Sequence, residues 1–278
     1  MVDNSFDLTG LEFDTAYIEI TRVCDLICRH CYHARNRKNP KTMEVLSYRK
    51  LITALAEHHK TGNFVILGGE PMTHPHVAEM IRFASHFGNV DICTNGKDPE
   101  KLSPVVKRIR KYRVSLDGLR GTHDSIRGKG SYDRALDSLK RMISLGCVTS
   151  VTTTVHKGNK DEVIALVKKM DGLGVRDIQI QQLMGSEETD GLETLSEEEV
   201  LTLGEKLEDL FMDLDIEIDF QKEKPISRKG NKINRLTIGP EGDVTFSPDN
   251  LGRNKYIIRF DFDLGKMVVD IDRLIKQT

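Results

Sequence analysis

Cys24-Asp25-Leu26-Ile27-Cys28-Arg29-His30-Cys31 follows closely on the apolar run Ala16-Tyr17-Ile18-Glu19-Ile20. Three cysteines therefore lie in one short segment, separated by three residues and then by two. Thiolates that converge from such a loop can bind three irons of a cubane iron–sulfur cluster. Because no fourth cysteine lies nearby, the pattern predicts a [4Fe-4S] cluster with one iron open to a ligand that is not protein.

Two other uses of these cysteines compete with this interpretation. A zinc site would need a fourth ligand, which only His30 or His33 could supply from the same loop. A disulfide framework is disfavoured because five cysteines in 278 residues are few and odd in number. No N-terminal segment is typical of a secretory signal. We therefore expect a protein of the reducing cytoplasm.

The composition is that of a globular enzyme of moderate size. Hydrophobic residues make up 38% of the chain and charged residues 30%, which suffices for one good core. No apolar run approaches the roughly 20 residues that cross a bilayer. The net charge of −2 argues against a broad nucleic-acid-binding face. We expect neither membrane nor nucleic acid as a partner.

Strand-like and helix-like segments alternate along most of the chain. Strands are predicted at 16–20, 64–67, 90–93, 113–116, 148–155 and 177–182. Helices are predicted at 47–59, 76–87, 99–111, 132–145, 160–173 and 196–214. Ser196 and Glu199 form a capping-box pattern, and Gly146 and Gly174 follow two of the helices. Six β-α units in succession predict an α/β fold with a parallel sheet and helices outside it.

Polar and glycine-rich motifs follow the predicted strands. They are Leu67-Gly68-Gly69-Glu70-Pro71, Cys93-Thr94-Asn95-Gly96 and Val114-Ser115-Leu116-Asp117-Gly118. In a parallel barrel the catalytic groups collect at the carboxyl ends of the strands. Each motif, like the cysteines, falls at such an end. Ser115 and Asp117 are two residues apart, so their side chains are expected on the same face.

In this order and spacing, the cysteines and the three motifs resemble the radical S-adenosylmethionine (SAM) superfamily, as far as about residue 185. The resemblance implies a partial (β/α)6 TIM-like barrel with one [4Fe-4S] cluster bound by Cys24, Cys28 and Cys31. It implies that SAM chelates the open iron and is cleaved to methionine and a 5′-deoxyadenosyl radical. That radical would abstract hydrogen from the substrate.

The resemblance also implies residues that bind SAM. The backbone at Gly68 and Gly69 would meet its amino group, and Glu70 would pair with that ammonium or shape the loop. Ser115 would contact the carboxylate or ribose, and the backbone near Leu183 the adenine. His30 and Tyr32 would pack around the adenine or the cluster loop, or merely shield the cluster from water. Arg127 would pair with the SAM carboxylate, or be a surface arginine, and Asp117 would be a cofactor contact or merely a turn residue.

Cys93 lies at the carboxyl end of the third predicted strand, near the expected cavity. A hydrogen donor to a substrate radical is one interpretation, and a small buried residue is the other. Cys147 opens the fifth strand at the opposite rim, where we expect a structural role.

The C-terminal region departs from the barrel pattern. Residues 235–247 predict two strands joined by a Pro-x-Gly turn, similar to the hairpin of accessory SPASM or twitch domains that bind auxiliary clusters. Ser247 stands where those domains have a cysteine, and no cysteine follows Cys147. We therefore expect an N-terminal extension at 1–15, a barrel at 16–215 and a degenerate accessory domain without a cluster at 216–278.

The run His123-Asp124-Ser125-Ile126-Arg127-Gly128 is typical of the branch that modifies peptides and cofactors. The sequence therefore predicts a radical SAM enzyme acting on a ribosomally synthesised peptide or a cofactor precursor. A small-molecule substrate such as a sugar, nucleotide or amino acid is an alternative, and a non-catalytic metal-binding interaction protein is another. An electron donor such as flavodoxin or ferredoxin is an expected partner.

Overall fold

The computed structural model describes residues 10–33, 39–183, 190–210, 214–221, 228–229, 232–245 and 258–269. The chain divides into two compact units. The first unit comprises Met1–Val23, Asn39–Asp91 and Pro225–Thr278, and the second comprises Cys24–Lys38 and Ile92–Lys224.

The described strands, in chain order, are β1 (Glu12–Thr21), β2 (Asn63–Gly68), β3 (Asn89–Thr94), β4 (Lys111–Ser115), β5 (Thr149–Val155), β6 (Asp177–Gln182), β7 (Glu217–Gln221), β8 (Arg228–Lys229), β9 (Lys232–Ile238), β10 (Asp243–Thr245), β11 (Ile258–Asp261) and β12 (Lys266–Val269). The α-helices are α1 (Val45–His59), α2 (Val77–Ala84), α3 (Arg120–Arg127), α4 (Ser131–Ser144), α5 (Val163–Leu173) and α6 (Glu197–Glu208). Short 3-10 helices cover Pro71–Thr73, Pro99–Arg108 and Lys160–Glu162.

The first unit is built around β1, which has a parallel partner on each side. The strand order is β12-β11-β10-β9-β1-β2, followed by the start of β3. Ile18 pairs with Ile66 of β2 and with Ile238 of β9, and all three are fully buried. Apolar residues on a central parallel strand are expected because such strands are covered on both faces.

The second unit contains the end of β3 and the parallel strands β4, β5, β6 and β7 in that order. Its side chains separate by polarity. Tyr112 and Val114 of β4 are fully buried, and α4 packs against β4 and β5. The alternate residues of the sheet are polar: Ser115 pairs with Thr152, and Thr152 with Gln179. A half-exposed polar face on parallel strands can receive a polar ligand.

Most predicted elements are confirmed, with boundaries shifted by a few residues. The capping box is present, since Ser196 accepts from the Glu199 N–H and the Glu199 carboxylate accepts from the Ser196 N–H. Gly146 and Gly174 adopt positive φ at helix ends. The helix predicted at 99–111 is present as a 3-10 helix at Pro99–Arg108, because the segment contains Pro104, which lacks an amide hydrogen and disfavours the α-helical bond. Helix α3 was not predicted.

The predicted C-terminal hairpin is confirmed over its described residues. Strands β9 and β10 are antiparallel and the turn between them includes Gly242 at positive φ. The sequence did not predict that β9 would also pair with β1. Ser247 lies outside the described residues. The end of the second strand predicted within residues 235–247 and the segment Leu251-Gly252-Arg253 also lie outside them. Among the described helices, none combines the length and apolar character needed to span a lipid bilayer.

Candidate functional site

The cysteine segment lies in the second unit, and none of its three cysteines forms a disulfide. Cys24 is exposed, whereas Cys28 and Cys31 are half-buried. The Cys31 N–H donates to the Cys28 carbonyl at 3.2 Å, which forms a tight turn between these two cysteines. The Leu26 N–H points to Cys24 Sγ at 3.4 Å. The backbone of the segment is thus folded around its own sulfurs.

The electrostatics of Cys28 indicate that the three thiols share one site. Burial raises the pKa of Cys28 to about 11, while the Arg127 guanidinium opposes this shift. The nearby Cys31 and Cys24 add to the rise, because three thiolates would repel one another. A cation that binds all three sulfurs would remove this penalty, since thiolates are the metal-binding form of cysteine. The donor set therefore fits an iron–sulfur cluster.

No group of three or more described His, Cys, Asp or Glu residues is arranged to hold a single metal ion. His30, one of the two residues considered as a fourth zinc ligand, has its Nε2 bonded to Asp117 Oδ2 at 2.7 Å.

Asp117 is the central anchor of the cysteine segment. Its side chain is fully buried, and Oδ2 accepts from His30 Nε2 and from Arg127 Nε at 2.5 Å. Oδ1 accepts from the Thr154 N–H at 3.0 Å. Burial alone would raise the pKa of Asp117, but the charges of Arg127 and His30 outweigh it and hold the pKa well below its usual range. Asp117 is therefore ionised at neutral pH.

The backbone of Asp117 is held as firmly as its carboxylate. Its N–H donates to His123 Nδ1 at 3.0 Å, and its carbonyl accepts from Asn159 Nδ2 at 2.8 Å. Burial lowers the pKa of His123 to about 4, which keeps the ring neutral and its Nδ1 able to accept. The interpretation of Asp117 as a mere turn residue does not account for these contacts. Its neighbours His123 and Asn159 were not predicted as site residues.

The other end of the segment is anchored through Asp25. Its carboxylate accepts from Asn95 Nδ2 at 3.0 Å and from Arg134 Nη1 at 2.8 Å, and Lys97 Nζ lies 3.6 Å away. Burial raises the pKa of Asp25, but these three neighbours lower it overall. Asn95 lies in the Cys93-Thr94-Asn95-Gly96 motif but was not predicted as a site residue. Its position directly after the carboxyl end of β3 is the sequence feature that could have indicated a role in the site.

The other predicted residues of the second unit occupy varied environments. Ser115 is half-buried at the end of β4, and Cys93 is half-buried in β3. Leu183 is buried directly after β6, where its N–H donates to the Val155 carbonyl at 2.8 Å. Tyr32 is 46% exposed and contacts the His33 ring, with 4.1 Å between ring centroids.

Gly68, Gly69 and Glu70 belong to the first unit, where protein contacts explain them. A Cβ on Gly68 would lie 2.1 Å from the Thr21 carbonyl oxygen, and one on Gly69 would lie 2.4 Å from that of Val23. The glycines thus allow the chain after β2 to approach the chain after β1. Glu70 is fully buried and Oε1 accepts from the Met72 N–H at 3.0 Å, so its carboxylate shapes the loop.

A family model described as "Radical SAM superfamily" matches residues 18–170. Among curated proteins, the sporulation killing factor maturation protein SkfB of Bacillus subtilis (strain 168) is 26% identical over 164 residues, covering 56% of this chain and 39% of SkfB. The antilisterial bacteriocin subtilosin biosynthesis protein AlbA of the same strain is 28% identical over 168 residues, covering 58% of this chain and 37% of AlbA. The chain therefore spans less than half the length of these relatives.

Among solved structures, Streptococcus suis SuiB bound to S-adenosylmethionine matches with a TM-score of 0.77 at 17% identity, covering 91% of this chain and 64% of SuiB. SuiB bound to its precursor peptide SuiA matches with a TM-score of 0.75, also at 17% identity, over 89% of this chain and 62% of SuiB. At this identity the likeness concerns the fold. It confirms the predicted α/β fold of the partial-barrel type.

Proposed function

Because the chain belongs to the radical SAM superfamily, we propose that it is an enzyme that uses one [4Fe-4S] cluster and SAM to modify a ribosomally synthesised peptide or a cofactor precursor. When bound, these cofactors supply reductive cleavage of SAM to methionine and a 5′-deoxyadenosyl radical that abstracts hydrogen from a substrate. The observation that carries the proposal is the segment of three cysteines beside the half-buried Arg127 cation.

Cys24, Cys28 and Cys31 would hold three irons of the cluster. Arg127 is suited to stabilise them as thiolates, because its half-buried positive charge interacts with both Cys28 and Cys31. Asp117 keeps Arg127 in place through Nε and so leaves the outer nitrogens of the guanidinium to face an anionic group such as the SAM carboxylate. His30 is the second residue that Asp117 fixes, and it ties the cysteine segment to the end of β4.

Ser115 and the backbone at Leu183 would orient SAM from the second unit. Ser115 lies at the carboxyl end of β4, and Leu183 directly follows the carboxyl end of β6, where ligands of parallel sheets bind. The assignment of Gly68, Gly69 and Glu70 to the SAM amino group remains a prediction from the family resemblance. The same is true of Tyr32 near the cofactors and of Cys93 as a hydrogen donor.

A peptide substrate is supported by the relatives SkfB and AlbA, whose names describe maturation of a killing factor and biosynthesis of a bacteriocin. SuiB was solved with a precursor peptide. The polar face of β4–β6 suits such a substrate, since Ser115, Thr152 and Gln179 offer donors and acceptors for peptide groups. Flavodoxin or ferredoxin is the proposed electron donor.

The test of radical chemistry is anaerobic reconstitution with iron and sulfide, followed by reduction with dithionite in the presence of SAM. We expect formation of 5′-deoxyadenosine by the wild type and its loss in Cys28→Ala. The matched control is Cys147→Ala, which removes a buried thiol outside the cysteine segment and should keep cluster content and cleavage. A wild-type protein that binds neither iron nor SAM would contradict the proposal.

The substrate class is tested separately with the reconstituted wild type. Short peptides encoded beside the gene are added singly, and 5′-deoxyadenosine and the peptide mass are followed. We expect one peptide to accelerate SAM cleavage and to change in mass, whereas the same peptide with reversed sequence does neither. Stimulation by free nucleotides, sugars or amino acids but by none of the peptides would favour the small-molecule alternative.

A further inference from the structure

Asn95 is placed between a ligand sulfur and a charged cluster of side chains. Its side chain is buried, and Nδ2 lies 3.0 Å from Asp25 Oδ1 and 4.0 Å from Cys24 Sγ. The same sulfur receives the Leu26 N–H at 3.4 Å. Cys24 is the most exposed of the three cysteines, and both N–H groups point to its sulfur.

The orientation of the Asn95 amide is determined by its chemistry. Oδ1 accepts from the Lys97 N–H at 3.1 Å, and Nδ2 donates to the Asp25 carboxylate. A flipped amide would set the nitrogen against an N–H and the oxygen against a carboxylate, which is unfavourable on both sides. The NH2 group therefore faces Asp25 and Cys24.

Asp25 is itself balanced by two cations. Arg134 Nη1 lies 2.8 Å from its Oδ2 and Lys97 Nζ lies 3.6 Å from the same oxygen. The carboxylate therefore places one negative charge beside the first cysteine, and Arg134 and Lys97 offset it. Removing one member would change the charge that the cluster experiences.

We propose that Asn95 and Asp25 are positioning residues that fix Cys24 and set the reduction potential of the cluster with opposite signs. This inference rests on the proposed function, since it requires a cluster on the cysteine segment. An N–H that points to a ligand sulfur stabilises the more negative, reduced cluster and raises its potential. The Asp25 carboxylate acts in the other direction, because it repels the added electron.

The experiment measures the midpoint potential of the reconstituted cluster by an anaerobic redox titration followed by electron paramagnetic resonance, with iron and sulfide content determined for each variant. Asn95→Leu removes the N–H at similar size and is expected to shift the potential to more negative values. Asp25→Asn removes the charge at nearly constant size and is expected to shift it to more positive values. No activity measurement is needed.

Two further variants complete the experiment. Asn89→Leu is the matched control, because Asn89 also donates its amide to a side chain, the Asn63 oxygen at 3.1 Å, but in the first unit. The midpoint potential of the cluster in Asn89→Leu should equal that in the wild type. Arg134→Met removes a cation that offsets Asp25 and is expected to shift the potential to more negative values. It supports the sign assignment even if Asn95→Leu fails to fold.

The possible results separate the inference from the proposed function. Opposite shifts for Asn95→Leu and Asp25→Asn support the inference, and a purely structural role would not produce them. Fully loaded variants with the wild-type potential, or with shifts of the same sign, would overturn it while leaving the proposed function intact. A wild-type protein that binds no cluster would overturn the proposed function and this inference with it.

Discussion

Replacing Asp117 with asparagine is expected to destabilise the cluster-free protein by about 3–5 kcal/mol, the usual cost of leaving a buried ion without its partner. The carboxylate is fully buried, and its Oδ2 accepts from both Arg127 and His30. Asparagine retains an acceptor for the Thr154 N–H, but its NH2 group would face the Arg127 and His30 donors, so the loss combines the missing charge with the missing acceptor. The side chain of Arg127 is only 12% exposed and cannot recover this energy from water.

The assay is equilibrium urea unfolding at neutral pH, with Asp137→Asn as the matched control. Asp137 carries the same chemical change on α4, but its side chain is 75% exposed in its pair with Lys140, so a loss below about 0.5 kcal/mol is expected. In the double variant Asp117→Asn with Arg127→Met, the free energy of unfolding should fall by about 2 kcal/mol less than the sum of the decreases in the two single variants. Additive losses, or a cost for Asp117→Asn no larger than that of the control, would refute the reasoning.

Three further predictions concern particular residues. Gly68→Ala should lower the free energy of unfolding by about 3 kcal/mol or more, because the new Cβ would meet the Thr21 carbonyl oxygen. Gly146 is also at positive φ but has open space around it, so Gly146→Ala should cost about 1–2 kcal/mol in the same urea unfolding assay. His123 has a folded pKa of about 4, below its ordinary 6.5, so the stability it contributes is present above pH 6.5 and is lost as the pH falls toward 4. His123→Asn should therefore flatten the unfolding free energy across this window, and an unchanged pH profile would contradict the assignment. Ser196→Ala should cost about 1 kcal/mol through loss of the capping box, measured by thermal unfolding against Ser85→Ala, which removes a half-buried hydroxyl at the C-terminal end of a helix.

Local sequence signals were sufficient to predict the order of the strands and helices and to single out the cysteine segment. Strand β6 was predicted with its observed limits, because β-branched and polar residues alternate there between turn residues. The 3-10 helix at Pro99–Arg108 shows the limit of periodicity, since its apolar spacing resembles an α-helix that Pro104 disfavours.

The contacts of the site were harder to predict because they join residues far apart in the sequence. Asp117 was an uncertain candidate, and nothing near it in the sequence indicates that His30 would share its carboxylate with Arg127. The same applies to Asp25 and Arg134. Gly68 and Gly69 were predicted to bring the backbone close to SAM, and this stays a prediction. In the first unit they allow close approach of the Thr21 and Val23 backbone.

The pairing of β9 with β1 has a consequence for synthesis on the ribosome. Ile18 is made about 220 residues before its partner Ile238, whereas its other partner Ile66 follows soon after. At ordinary elongation rates this interval lasts on the order of 10 to 40 seconds. During that time one edge of β1 has unpaired N–H and C=O groups, which favour association with another nascent chain. Slow translation of the last third of the protein should therefore increase aggregation rather than improve folding.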